Sequence, residues 1–266
     1  MTRGAARDTE VTGRANWIGL ATLYRREVRR FLAVWAQTVA GPVVAGLLLF
    51  VIFGAALAGR PPVAGAPYLT FIAPGLAMMG IAQNAFANTS SSLLVAKLQG
   101  NIVDLLVAPL SPAEFLAGIA LGGVTRGLLV GALTLVAMWP FVELAVPDPW
   151  MAGFCALGGA LLFSLLGVIA GLWAQRMDEQ GAIASFVVAP ITLLSGTFFA
   201  VAALPEPFRQ IALLDPFLYV VDGFRRGLVG VGETAAATAV GIVVVANLLL
   251  VALCHRLLRS GWRLKQ

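Results

Sequence analysis

Hydrophobic residues run through this chain in long uninterrupted blocks, and charged residues mark where the blocks end. Cutting at the charges leaves apolar intervals at 31–59, 61–96, around 115–142, 149–175, 180–205 and 234–254. About 20 apolar residues cross a bilayer as a helix, and a charge at the centre of a lipid-exposed helix costs about 2.5–3.5 kcal/mol on insertion scales. The intervals therefore predict six transmembrane helices at about 36–58, 69–92, 115–139, 150–174, 182–202 and 234–255. The expected fold class is an all-α integral membrane protein, with one membrane domain at 36–256, a flexible stretch at 1–14 and a tail at 257–266. The first apolar run begins only after Arg30 and is long enough to span, so it reads as a retained crossing rather than a cleaved signal.

Between and beside the spans the polar positions carry further pattern. Ahead of the first span, Trp17, Leu20, Tyr24, Val28, Phe31 and Trp35 recur at helical spacing, with Arg25, Arg26, Arg29 and Arg30 on the other side. This predicts an amphipathic helix over 15–35 lying in the headgroup region. After the second span, 97–112 is apolar enough for a short helix closed by Pro109 and Pro112, and apolar surface of that kind suits a partner or the membrane face. Span two carries Gln83, Asn84, Asn88, Thr89, Ser90, Ser91 and Ser92, a stripe that should face protein or a water-filled path. Arg126 falls inside span three, snorkelling or facing protein, among the small-residue spacings of Gly118, Gly122, Gly123, Gly127 and Gly131; Gly167 and Gly171 repeat the spacing in span four. Close helix contacts are expected there. Between spans five and six, about 30 residues are too short for two crossings and too apolar for a free loop. They predict two short helices dipping into the membrane, broken near Asp215-Pro216, or a cap over the bundle.

Composition removes most other classes. The 266 residues are 59% hydrophobic and 12% charged, about half the charge of a soluble domain. Nucleic acid is excluded as a partner, because the net charge of +5 has no solvated basic face to sit on. Its distribution is topological: Arg and Lys concentrate before span one and after span six, and the side rich in them stays cytoplasmic. Both termini are expected in the cytoplasm. Cys155 and Cys254 lie in apolar runs, and a lone His255 completes no metal site, so no metal is expected. Neither lysine, Lys97 or Lys265, sits in a G-x-x-x-x-G-K-[ST] loop, so no ATP site is expected in this chain. A secondary transporter or channel would want ionisable residues at the midplane, and Arg126 is the candidate the sequence offers. A membrane enzyme would need an acid, base or metal constellation that the residues do not form.

Taken in order, Phe71-Ile72-Ala73-Pro74-Gly75-Leu76, Asn84-Ala85, Ala87-Asn88, Ala96-Lys97, Asn101-Ile102, Leu105-Leu106-Val107-Ala108-Pro109, Arg126-Gly127 and Asp215-Pro216…Tyr219…Gly223-Phe224-Arg225 resemble the permease subunit of an ABC-2 type exporter. The resemblance runs over nearly the whole chain from about Trp17. It departs at Asp215, where many members carry Asn. It implies a homodimer of six-span subunits in the bacterial inner membrane, coupled to two copies of a separate ATP-binding cassette subunit that holds the ATP and Mg. It further implies export of a hydrophobic or amphipathic substrate such as a drug, lipid or lipid-linked glycan. On this reading the coupling surface comprises Lys97, Asn101, Asp104, Leu105, Leu106 and Pro109 together with Arg25 and Arg29 of the N-terminal helix. Asn84, Asn88 and Arg126 are candidates for an intramembrane path, and Asp215, Pro216, Tyr219, Gly223 and Arg225 belong to paired re-entrant helices.

Overall fold

The structure of the chain, a computed structural model, describes residues 16–57, 61–63, 65–102 and 108–263. The stretch at 1–14 and the coupling candidates Asp104, Leu105 and Leu106 lie outside the described residues. Every regular element among the described residues is helical. The first, α1, spans Trp17–Leu32, then a π-helical turn at Ala36–Ala40 leads into α2 at Gly41–Ala56. Three long helices follow: α3 at Tyr68–Leu98, α4 at Pro112–Met138 and α5 at Pro149–Trp173. A broken helical run comprises α6 at Met177–Ile183, a π-helical turn at Ala184–Val188 and α7 at Ala189–Leu194. Two short helices, α8 at Glu206–Leu213 and α9 at Pro216–Val229, precede the last long helix, α10 at Ala236–Ser260.

Three of these helices start the same way: Ser111, Asp148 and Asp215 each stand before a proline at the first helical position. The side-chain oxygen accepts an N–H of the first turn, and the proline lacks the N–H that would otherwise be left over. Ser111 adds a capping box, since the Glu114 carboxylate in return accepts the Ser111 N–H. Pro112 therefore opens α4 rather than closing a helix in the preceding loop.

The chain folds around α3. Of its apolar stretch 83% is buried inside the chain, against 11% for the Ala36–Ala56 span and 22% for α10. It packs most extensively on α4 and α5. The glycines anticipated as close contacts serve two different neighbours. A Cβ on Gly127 would stand 2.7 Å from the Ile81 carbonyl oxygen, and one on Gly167 2.5 Å from that of Phe86, so only glycine lets α4 and α5 touch the α3 backbone. Gly118 and Gly122 instead receive α1: a Cβ there would meet Leu23 at 2.8 Å and Glu27 at 2.5 Å.

That contact sets the face that α1 turns to the bundle. The buried line is Leu23, Glu27 and Phe31, four residues apart on one face, whereas Trp17 and Trp35 are exposed. Arg30 leaves the basic face as well and turns inward. Among the described residues, five helical runs are long and apolar enough to cross a membrane: Ala36–Ala56, Tyr68–Leu98, Pro112–Phe141, Pro149–Trp173 and Ala236–Ser260. The expected fifth span at 182–202 differs from the rest. Its helix begins earlier, passes through the π-helical turn and Pro190, and ends at Leu194; Gly196 then takes a positive φ of 74°. Proline withholds one N–H and the wide turn weakens its neighbours, so the run does not continue to 202.

Between this run and α10, α8 stays largely exposed while α9 is buried on nearly all sides. Phe217, Val220, Val221 and Phe224 of α9 join the core built by α3, α5 and α10. At 14 residues, α9 is about 21 Å long at 1.5 Å per residue, short of a membrane crossing.

Candidate functional site

Two polar clusters mark opposite ends of the bundle. The first lies where α1 meets the start of α4 and the end of α3. Glu114 is its hub: one carboxylate oxygen accepts the Asn16 N–H at 2.5 Å, and the other accepts the N–H and hydroxyl of Ser111 at 2.7 and 2.9 Å. Asn16 also donates from Nδ2 to the Pro109 carbonyl at 3.0 Å. The N-cap residue of α1 is thereby fastened to both the last turn of the 2–3 loop and the first turn of α4. Of the coupling candidates, Arg25 and Arg29 are exposed on α1, and Asn101 is exposed beyond α3, its Nδ2 donating to Gln99. Lys97 turns toward the bundle and donates to the carbonyls of Leu172 and Ala174 at 2.8 and 2.5 Å, a cation on the C-terminal carbonyls of α5.

About three helical turns further along α1 from Asn16, Glu27 is fully buried, accepting from Ser92 at 2.8 Å and pairing with Arg30 at 3.1 Å. Arg30 continues to the carbonyl and side-chain oxygens of Asn88 at 2.7 and 3.0 Å and to Ser91 at 3.2 Å. Further in, Arg126 donates to Asn84 Oδ1 at 3.0 Å and to the Thr38 carbonyl at 3.3 Å. Its partners are therefore protein groups, an amide and a backbone carbonyl. The rest of the span-two stripe is also satisfied by protein: Thr89 donates to the Ser164 carbonyl and Ser90 accepts from Gln180.

The second cluster gathers the segment 195–234. Asp215 caps α9 through Phe217 N–H and accepts the Ser195 hydroxyl at 2.5 Å, tying α9 to the end of α7. Burial pushes the Asp215 carboxyl above the ordinary carboxylate range, against the pull of those two donors. Pro216 is the first residue of α9, and Tyr219 donates to the Leu213 carbonyl, which holds α8 against it. Gly223 lies where a Cβ would come within 2.5 Å of Cys155 Sγ, so α9 sits flush on α5. Arg225 is 2% exposed; it donates from Nε to the Phe71 carbonyl at 3.0 Å and from Nη2 to that of Gly196 at 2.6 Å, with its guanidinium 3.8 Å from the centre of the Phe71 ring. Asp222 accepts from the N–H groups of Glu233 and Thr234 and the Thr234 hydroxyl, and Glu233 accepts from the N–H groups of Val201 and Ala202.

Several of these residues went unnoticed in the sequence although signals existed. Ser111-Pro-Ala-Glu114 is a capping-box pattern directly before an apolar run. Glu27 stands four residues from both Leu23 and Phe31, an acid on an apolar line and hence a buried pair in waiting. Asn16 directly before the helical pattern is an N-cap signal, its Oδ1 accepting the Gly19 N–H, whereas Asp222 and Glu233 carry no local pattern, because their partners are distant backbone and hydroxyl groups. Among the described residues no group of three His, Cys, Asp or Glu side chains is placed to hold a metal.

Comparison with known proteins adds an independent line. The family model described as ABC-2 type transporter matches residues 19–229. The chain is 36% identical over 246 residues to the inner membrane transport permease YadH of Escherichia coli (strain K12), covering 92% of this chain and 96% of that protein, and equally to YadH of Shigella flexneri. It is 30% identical over 141 residues to the inner membrane transport permease YhhJ of Escherichia coli (strain K12), 52% of this chain and 37% of that one.

Proposed function

Because the chain belongs to the ABC-2 type transporter family and is a transport permease, we propose that it is the membrane subunit of an ATP-driven exporter in the bacterial inner membrane, paired with a second copy of itself and with two copies of a separate ATP-binding subunit. The ATP-binding subunit supplies nucleotide chemistry, and this chain supplies the path and the movement. Its substrate is a hydrophobic or amphipathic molecule taken from the cytoplasm or inner leaflet. The broken run α6–α7 acts as the sixth crossing, α8 and α9 form the re-entrant pair on the outer side, and both termini lie in the cytoplasm.

The observation that carries the coupling part of this reading is the fastening of Asn16 to Glu114 and Pro109. A partner that pushes on the 2–3 loop moves Pro109, and through it α1 and the start of α4 together. Such a push shifts the transporter only if the partner binds one arrangement better than the other. The α1 and loop surfaces are where that preference would act. Co-expression of the tagged chain with the ATP-binding subunits of its own genome tests the reading. Capture of one of them by the wild type, and its loss in Leu105→Glu and Leu106→Glu variants that still fold, is the expected result. A well-folded chain that retains no ATP-binding subunit, and that accumulates cargo in vesicles on an ion gradient alone, would overturn it.

A further inference from the structure

Asn247 holds an acceptor without a donor in the middle of the bundle. It stands near the centre of α10, on the line of Ala239, Val243, Asn247, Cys254 and Leu258 that this helix turns inward, and it is 9% exposed. Both hydrogens of its Nδ2 are spent, one on the Gly158 carbonyl of α5 at 3.1 Å and one on the Val243 carbonyl of its own helix at 2.9 Å. Those two acceptors fix which way the amide faces, because a flip would set Oδ1 against two carbonyl oxygens. Oδ1 is buried and receives no donor among the described residues. Halfway along a membrane-crossing helix there is no bulk water to supply one, and a polar group left without a partner in hydrocarbon is costly.

Asn247 lines an otherwise apolar groove of about 360 Å³ between α4, α5 and α10, with Leu121 from α4, Phe154 and Leu157 from α5, and Val244 and Leu248 from α10 on its walls. Small-molecule sites have this character, an apolar concavity with a few placed polar groups. Leu121, Leu157 and Leu248 are exposed on the outside of the bundle, so the groove opens toward the hydrocarbon. An acyl chain would cover the walls and bring no donor. A second copy of the chain brings none from its two least buried spans either. No side chain along α2 is a donor, and between Ala239 and Leu253 α10 carries Asn247 alone, whose Nδ2 is already spent.

We infer that this groove binds a small apolar molecule bearing one hydrogen-bond donor, an O–H or N–H, with the donor on Asn247 Oδ1 and the apolar body against α4, α5 and α10. The site lies within one chain and does not depend on an ATP-binding partner, so it stands or falls apart from the exporter reading.

The test is photolabelling of the purified full-length protein in dodecyl maltoside with a diazirine derivative of thymol, the labelled residues being read by mass spectrometry. Thymol and p-cymene serve as competitors at equal concentration in the detergent phase; they share one apolar body, and p-cymene lacks the hydroxyl. The expected result is label on the groove walls, displaced about fivefold or more effectively by thymol than by p-cymene, the worth of one hydrogen bond. Asn247→Leu should bring the two competitors level, but it also removes two internal hydrogen bonds. Leu157→Trp is the second variant: it fills the groove from its exposed rim and leaves Asn247 in place, and it should abolish labelling of the groove while the melting temperature holds. Competition that does not distinguish thymol from p-cymene assigns the groove to any apolar chain, and label in monomeric but not in dimeric protein assigns it to a second copy. Either result would overturn the inference, as would unchanged labelling in a folded Leu157→Trp protein.

Discussion

At the scale of single residues, most polar groups deep in the bundle find a partner there, with Asn88 Nδ2, Arg226 Nε and Asn247 Oδ1 as exceptions among the described residues. Glu27 is the sharpest case, a carboxylate with no exposure held by Ser92 and Arg30. Replacing it with Ala strands Arg30 and Ser92 beside apolar neighbours, a loss of about 1–3 kcal/mol for unsatisfied buried groups. Thermal unfolding in detergent should show this as a lowered midpoint. Adding Arg30→Met should recover part of the loss, because the two side chains act as one unit. Strict additivity of the two substitutions would show that the pair does not hold α1 to the bundle.

Among elements, close approach decides which helices touch. Gly127→Ala must push α4 off the Ile81 carbonyl and should destabilise by about 1–3 kcal/mol, whereas Gly241→Ala, with nothing near its Cβ, should be neutral or stabilise by up to about 1 kcal/mol. Paired melting curves check the contrast, and equal shifts would refute the packing account. The glycine spacings and five of the crossings were legible because each rests on a local period or on length alone. The broken fifth run was misjudged in extent, since Pro190 and Gly196 punctuate an apolar stretch that hydropathy reads as continuous. The face that α1 turns to the bundle was not legible for another reason: periodicity marks the aromatic stripe suited to the membrane, and only the neighbour's Gly118 and Gly122 select Leu23, Glu27 and Phe31 as the line opposite them. Arg225 was singled out by its place in the Asp215-Pro216 segment, but its burial depends on Phe71 and Gly196, far away in sequence.

At the scale of the whole molecule, the bundle has a fastened end and a buried-arginine end, joined by α3, α4 and α5. Lys97 on the α5 carbonyls and Asn16 on Glu114 and Pro109 make the fastened end one mechanical piece. Under the proposed coupling, a piece of that kind would transmit a partner's movement into the spans rather than absorb it in a loose loop. Glu114→Gln keeps the size of the side chain and removes the charge that gathers the Asn16 and Ser111 N–H groups, so it should loosen the joint and leave the loop surface in place. The most direct measurement is ATP hydrolysis by the reconstituted complex of this chain with its ATP-binding subunits, comparing wild type with Glu114→Gln at equal partner occupancy. The account predicts that the stimulation of hydrolysis by the membrane subunit falls about 5-fold or more, within the range of coupling between linked sites, with the partner still bound. Unchanged stimulation in the Glu114→Gln complex would contradict it.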